Sequence, residues 1–404
     1  MDLSDVRAAR ELLTGVIEPT PLSHSRWLSG RAGVKVHVKA ENLQRAGSFK
    51  IRGAYTRIAR LSDEERSRGV VAASAGNHAQ GVALAASMLG AQATIFMPEG
   101  AALPKVAATE GYGAQVRFHG SGVTEALEAA RAFADETGAV LIHPFDHADI
   151  VAGQGTLGLE IVEQLPGVRT ILVPVGGGGL AAGVALLKSE FPELRIVGVQ
   201  ADEVAAYPAS LAAGHPVAAA MAPTMADGIA VAEPGNVPFA IISELVDEVV
   251  TVGEEQLSRA LLGLLERAKL LVEPAGVAAV AALLEHPGRW DGPAVAVLSG
   301  GNIDPLVLLD VIRHGLAAGG RFLKLKVRIP DRPGNLMRLL ADLASLQVNV
   351  INVGHDRASE TLVINQVDVD IEVATRGPAH KAEVEQRLLD LGYQFVRPGP
   401  LIDR

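Results

Sequence analysis

Four short motifs hold the residues able to do chemistry. The first, GSFKIRGA from Gly47 to Ala54, sets Lys50 at the start of a helical stretch between Phe49 and Arg52. An amine attacks a carbonyl only when neutral, so a reactive Lys50 has to be desolvated. Phe49 beside it and Arg52 on the same turn are the neighbours expected to lower its pKa. The plain alternative is a first-turn lysine facing water. The second motif, SAGNHAQG from Ser74 to Gly81, follows the apolar run GVVAAS and precedes a helix predicted over Val82–Leu89. Such a turn offers unpaired backbone N–H groups with a helix dipole behind them, a setting suited to a carboxylate, and Asn77 adds a neutral amide. The third, GGGGL, places Gly176, Gly177, Gly178, Gly179 and Leu180 after the run TILVPV. Four successive glycines let the backbone curl around an anion, for which phosphate is the natural guest. The fourth, SGGN at 299–302, puts the neutral hydroxyl of Ser299 after AVAVL. Ligands of open α/β sheets collect at such strand ends.

Rival readings of these residues differ in what they require. A P-loop needs Gly-Lys followed by Ser or Thr, and Leu180 and Ala181 stand there instead. Gly177, Gly179 and Ala182 fit the dinucleotide fingerprint, yet the next strand, RIVGVQ, ends in Gln200 where an acid would hold a ribose. His143 and His147 in HPFDH have the spacing of a helical metal pair, but Pro144 disfavours a helix, so a solvated loop is expected. Glu273 in LVEPAG precedes a helix and is left without a role beyond that of an acid near a helix N-terminus.

The elements that must position these motifs are legible as an alternation. From Lys35 to Gln200 short β-branched or apolar runs (VKVHVKAE, GVVAAS, ATIFMP, AQVRFHG, AVLIHPF, TILVPV, RIVGVQ) alternate with helical stretches. Those helices are expected near Arg52–Leu61, Val82–Leu89, Thr124–Thr137, Gly153–Gln164 and after Gly179. EVVTV, a helix Glu254–Lys269, an Ala-rich helix around Gly276–Leu284 and AVAVLSGGN extend the region to about Leu316. This is an α/β fold with parallel sheets covered by helices on both faces. After LAAGGR the pattern changes: FLKLKVRIP, DRPGN opening a helix to Leu346, the hairpin NVINVGHD and TLVINQVDVDIEV, a helix His380–Leu391 and a strand near Gln394. The order βαββαβ is ferredoxin-like.

Composition narrows the function classes. The chain has 404 residues, 49% hydrophobic and 20% charged, enough for two or three domains with their own cores. A net charge of −10 gives no footprint for nucleic acid, so a small-molecule partner is favoured. Without cysteine there is no disulfide, zinc–thiolate site or thiol catalysis. The start MDLSDVRAARELL lacks the pattern of a signal peptide, so the cytoplasm is the expected location. Apolar runs such as GVALAASMLGA fall short of the roughly 18 to 20 residues of a membrane helix, and no membrane association is expected.

Together, in this order and each after a strand, the four motifs resemble those of the fold-type II (tryptophan synthase β-like) pyridoxal phosphate enzymes. The similarity is greatest to the threonine ammonia-lyases, or threonine dehydratases. The resemblance covers nearly the whole chain and implies a two-lobed catalytic region. Its large lobe would take residues 1–40 and 147–316, its small lobe 41–146. It also implies that Lys50 carries pyridoxal phosphate as a Schiff base beside Phe49 and acts as the base at Cα. Asn77 would bond the phenolic oxygen, Gly176–Gly179 with Leu180 would hold the phosphate, and Ser299 would face the pyridine nitrogen. Ser74, Ala75, Gly76, Asn77 and His78 would receive the substrate. The implied reaction takes L-threonine to 2-oxobutanoate and ammonia, and L-serine to pyruvate.

Serine racemases are relatives, but their SxGNH motif has a serine as the opposite-face base where this chain has Ala75. The first position of their divalent-cation segment is here Gln200, so no metal is expected. After a linker at 317–321, residues 322–404 resemble an ACT regulatory domain, with Gly334, Asn335 and Leu336 of DRPGNL at its amino-acid pocket. Isoleucine is the expected effector and valine a second candidate, with a role in isoleucine biosynthesis. Because ACT pockets form between paired domains, a homodimer or homotetramer is expected. A serine-preferring dehydratase of the same mechanism and a non-enzymatic amino-acid sensor built on the ACT domain are the alternatives.

Overall fold

The structure is a computed structural model that describes residues 1–357 and 362–396. Residues 1–308 form one compact unit and residues from Leu309 onward a second.

The first unit contains two sheets. The larger runs in the order Leu22–His24, Val36–Ala40, Ala294–Leu298, Thr170–Pro174, Arg195–Ala201, Glu248–Val252. All its pairings are parallel except the first. The smaller, wholly parallel, runs Gln115–Phe118, Ala93–Met97, Val70–Ala73, Val140–Leu141. The central strands TILVP, AVAVL and ATIFM are buried at every residue, as expected where helices cover both faces of a parallel sheet. Parallel pairing also decides where the motifs lie. Val36–Ala40, Ala294–Leu298 and Thr170–Pro174 all end at one edge of their sheet, so the segments after them emerge side by side.

The helix Lys50–Ala59 is anchored by a buried ionic network. Arg52 donates to both oxygens of Glu41 at 2.7 and 2.8 Å, to Glu160 at 2.6 Å and to Thr156 at 3.1 Å. Lys39 donates to Glu160 at 2.6 Å, to the Thr20 carbonyl at 2.8 Å and to Gln164 at 2.9 Å. Two cations thus balance two carboxylates, and each buried charge has the partners it needs. The neighbouring helix Ala148–Gln164 comes close enough that a Cβ on Gly153 would lie 2.5 Å from the Arg52 carbonyl. Glycine at 153 is therefore what brings Glu160 and Thr156 within reach of Arg52.

Several expected boundaries move. The second-motif helix runs Asn77–Met88, five residues earlier than the predicted start at Val82. The helix expected from Gly153 to Gln164 begins at Ala148, because His147 caps it by accepting from the Asp149 N–H. The His143–His147 segment is a loop, but not a solvated one. His143 Nδ1 accepts from the Asp146 N–H at 2.9 Å, its ring packs edge-on against Phe145, and burial lowers its pKa to about 4. The helix expected at Glu254–Lys269 runs from Glu254 to Ala268, its final turn Leu264–Ala268 wound as a π-helix, and Lys269 at φ +61° ends it.

In the second unit, Phe322–Pro330, Asn335–Ser345, Asn349–Asp356, Gln366–Ala374, Pro378–Asp390 and Gln394–Phe395 give βαββαβ. The sheet order is Asn349–Asp356, Gln366–Ala374, Phe322–Pro330, Gln394–Phe395, all antiparallel. Alternate residues Leu323, Leu325, Val327 and Ile329 face a core completed by Val367, Val369, Ile371, Leu339, Leu343, Val384 and Leu388. The helix Pro305–Ala318 reaches into the segment 317–321, with Ala317 and Ala318 as good helix formers, and Gly319 follows its end. The start of the expected TLVINQVDVDIEV strand at Thr361, and residues 397–404 of the expected 322–404 domain, lie outside the described residues.

Candidate active site

Lys50 sits at the first position of its helix because the segment before it is tied to the fourth motif. Ser48 pairs with Gly300 as an isolated antiparallel bridge, and the Phe49 N–H donates to the Ser299 carbonyl at 3.1 Å. The Lys50 Nζ donates to the Pro144 carbonyl at 3.1 Å and lies 5.1 Å from the Phe49 ring centroid. Burial pulls its pKa down to about 8, with the nearby Glu273 carboxylate opposing part of that shift. Arg52 plays no part in it. Its guanidinium is turned away into the network with Glu41 and Glu160, so the expectation that it depresses the Lys50 pKa is corrected to desolvation alone.

Asn77 opens its helix with its side chain fixed at both ends. Its Nδ2 donates to Glu273 Oε1 at 2.5 Å and its Oδ1 accepts from Asn302 Nδ2 at 2.8 Å. Ser74, Ala75, Gly76 and Asn77 are all partly exposed, and the Ser74 hydroxyl accepts from the Gly76 N–H at 3.1 Å. His78 does not join them. Its side chain is buried, its Nε2 lies 2.8 Å from the Ile142 carbonyl, and burial holds its pKa near about 3. A substrate contact expected from His78 is limited to its backbone N–H, since a helix start leaves such groups unpaired.

The glycine loop is packed too closely on its neighbours to carry side chains. A Cβ on Gly177 would run into the Phe145 ring, and one on Gly178, which has φ +98°, into the Tyr207 hydroxyl. Tyr207 is buried and donates to the Gly177 carbonyl at 3.2 Å. Leu180 is buried in the core beneath, so it contributes backbone and not side chain to the loop. Gln200, the residue in place of a ribose-binding acid, accepts from the Tyr207 N–H at 2.8 Å and thereby supports the same loop.

Ser299 is buried at the end of its strand. Glu273, left without a role by the sequence, is also buried. Its N–H donates to the Gly300 carbonyl at 3.0 Å, and burial together with Asp227 pushes its carboxyl up to about 7. Glu273 and Asn302 line a cavity of about 150 Å³ whose rim carries Lys105 and Asp227, paired at 2.8 Å. A groove of about 270 Å³ beside Trp27, Arg31 and Arg259 shares no residue with the four motifs. Among the described residues, no three His, Cys, Asp or Glu side chains group as metal ligands would.

These residues fit pyridoxal phosphate on three counts. A buried lysine amine with a lowered pKa is suited to a carbonyl, and a glycine loop packed too closely on Phe145 and Tyr207 to carry side chains presents bare backbone, which is suited to a phosphate. The Ser48 hydroxyl, buried with no hydrogen-bond partner, marks polar capacity left over beside the lysine. The chain belongs to the pyridoxal-phosphate dependent enzyme family, whose family model matches residues 13–300. It is 46% identical over 393 residues to an L-threonine ammonia-lyase of Thermotoga maritima, covering 97% of this chain and 98% of that one. A processed threonine deaminase isoform 2 from Solanum lycopersicum superposes with a TM-score of 0.74 at 38% identity, covering 77% of this chain and 92% of that one. A maize serine racemase superposes with a TM-score of 0.73 at 35% identity over 78% of this chain and 98% of that one.

Proposed function

We propose that this protein deaminates L-threonine to 2-oxobutanoate and ammonia, and L-serine to pyruvate by the same route. The observation that carries this reading is that the Phe49 N–H next to Lys50 bonds the Ser299 carbonyl, while Lys50 bonds Pro144 and the glycine loop packs on the adjacent Phe145, in a chain 46% identical to an L-threonine ammonia-lyase over 97% of its length. Bound pyridoxal phosphate supplies the electron sink that acidifies an amino acid's Cα–H. Lys50 would hold the cofactor and, as a neutral amine, would take the Cα proton. Gly176–Gly179 would hold the phosphate through backbone N–H groups, Asn77 would offer its amide to the phenolic oxygen, and Ser299 would offer its hydroxyl to the ring nitrogen. A hydroxyl there, unlike a carboxylate, does not demand a protonated ring, which favours elimination over transamination. At the partly exposed turn Ser74–Asn77 the Ser74 N–H is taken by the Phe96 carbonyl and the Gly76 N–H by the Ser74 hydroxyl, so the N–H groups of Ala75 and Asn77 would receive the substrate carboxylate. With Ala75 and no serine opposite Lys50, there is one base at Cα, which supports elimination over racemisation. Neither His78 nor His143 serves as an acid near neutral pH, because burial keeps both uncharged.

The second unit fits an ACT domain. Gly334, at φ +93° with nothing within 4 Å of a Cβ built on it, leaves the approach to Asn335 and Leu336 open. Isoleucine is the proposed effector, acting on paired copies in a homodimer or homotetramer. No helix among the described residues is long and apolar enough to cross a membrane, and the cytoplasm is the proposed location.

Steady-state kinetics with L-threonine and L-serine, each with and without isoleucine, test substrate and effector together. A higher kcat/KM for threonine and inhibition by isoleucine are expected. Preference for serine would favour the serine-dehydratase alternative, and rates unmoved by millimolar isoleucine would remove the effector assignment. A separate expectation concerns pH. Because only the neutral amine reacts, the rate at which stripped protein recaptures the cofactor should rise with pH and level off above about pH 8. An unperturbed lysine would keep gaining up to about pH 10.4. Stopped-flow absorbance follows this directly.

A further inference from the structure

We infer that Asn302 is a positioning residue that sets Lys50 and Asn77 in register with one another, an inference that rests on the placement of the cofactor proposed above. Its Nδ2 donates to the Ala46 carbonyl at 2.7 Å and to Asn77 Oδ1 at 2.8 Å, with Gln80 Oε1 at 3.2 Å. A carbonyl only accepts, so the bond to Ala46 fixes which end of the Asn302 amide carries hydrogen. Asn77 must then present its oxygen to Asn302, which turns its own Nδ2 toward Glu273 and leaves the second Nδ2 hydrogen for a ligand. One amide therefore decides the polarity of another.

The same side chain also holds the approach to Lys50. Ala46 has φ +57°, a conformation that a residue with a Cβ rarely adopts, and its carbonyl is the one Asn302 grips. Gly47 follows at φ +70°, where a Cβ would collide with the Asn302 side chain, and its carbonyl accepts from the Gly301 N–H at 2.9 Å. Three residues later comes Lys50. Asn302 thus joins the strained turn that delivers the lysine to the helix start that delivers the amide, and acts on the reaction only through them.

The test uses holoenzyme carrying Asn302→Asp, which keeps the shape and removes both donors, with Asn302→Ser and Asn77→Ala alongside. Asn302→Asp should lower kcat by about tenfold to a hundredfold, the effect of about two lost hydrogen bonds, with KM for threonine little changed. The visible absorption band of the bound cofactor should shift in the same direction as in Asn77→Ala. An unshifted band with unchanged kcat in the Asn302 variants, against a shifted band in Asn77→Ala, would overturn the inference and leave the placement of Asn77 standing. An unshifted band in Asn77→Ala would sink that placement and the inference with it. If both Asn302 variants lose only melting temperature, or neither folds, the role is structural and the inference falls.

Discussion

Replacing Lys50 by Ala is expected to abolish turnover, lowering kcat by more than about 10³-fold while the protein stays folded. The size follows from one amine having two tasks, holding the cofactor and removing the Cα proton. The fold should survive because the Nζ makes one hydrogen bond, to the Pro144 carbonyl, and feels Glu273 only through space, without the direct ion pairs that Arg52 makes. Alanine also suits the first turn of a helix. Circular dichroism and melting temperature should match wild type while activity is lost. Retained deaminase activity in Lys50→Ala would refute the assignment.

The second large effect lies two residues further on. Arg52→Met removes the cation that Glu41 and Glu160 share, leaving Glu41 buried without a cation and Glu160 with Lys39 alone. Breaking one side of such a buried network costs about 3 to 5 kcal/mol, a large part of the roughly 5 to 15 kcal/mol by which a domain is stable. The first thermal transition should fall by roughly 10 °C, and cofactor affinity should fall with it, because the helix that carries Lys50 loses its footing. Scanning calorimetry reads this. A melting temperature within a degree or two of wild type would show that the network does not hold the helix.

Much of this was legible in the chain because local pattern and global packing agree. Apolar runs bounded by turns mark the parallel strands, and strict alternation in FLKLKVRIP marks a sheet with one covered face. The helix start at Asn77 was not legible, since Asn77-His78-Ala79-Gln80-Gly81 has no apolar periodicity and ends in glycine. Nor was the direction of Arg52, whose acids lie at 41 and 160. Sequence proximity to Lys50 suggested an electrostatic neighbour, and burial made it a structural anchor instead. Glu273 and Asn302 meet Asn77 across separations of 196 and 225 residues, which no local signal reports. What the motifs could say was that an amide, a lysine, a hydroxyl and a glycine loop belong together. Which groups orient them is a property of the folded chain.

The most direct measurement is to locate the cofactor. Borohydride reduction of the yellow holoenzyme fixes pyridoxal phosphate to the amine that carries it, and digestion with mass spectrometry then identifies that amine. The label should appear on the peptide containing Lys50 and nowhere else, with the visible band bleached in proportion. Label on another lysine, such as Lys39 in the buried network or Lys105 at the cavity rim, or a colourless protein that takes up no label, would contradict the account.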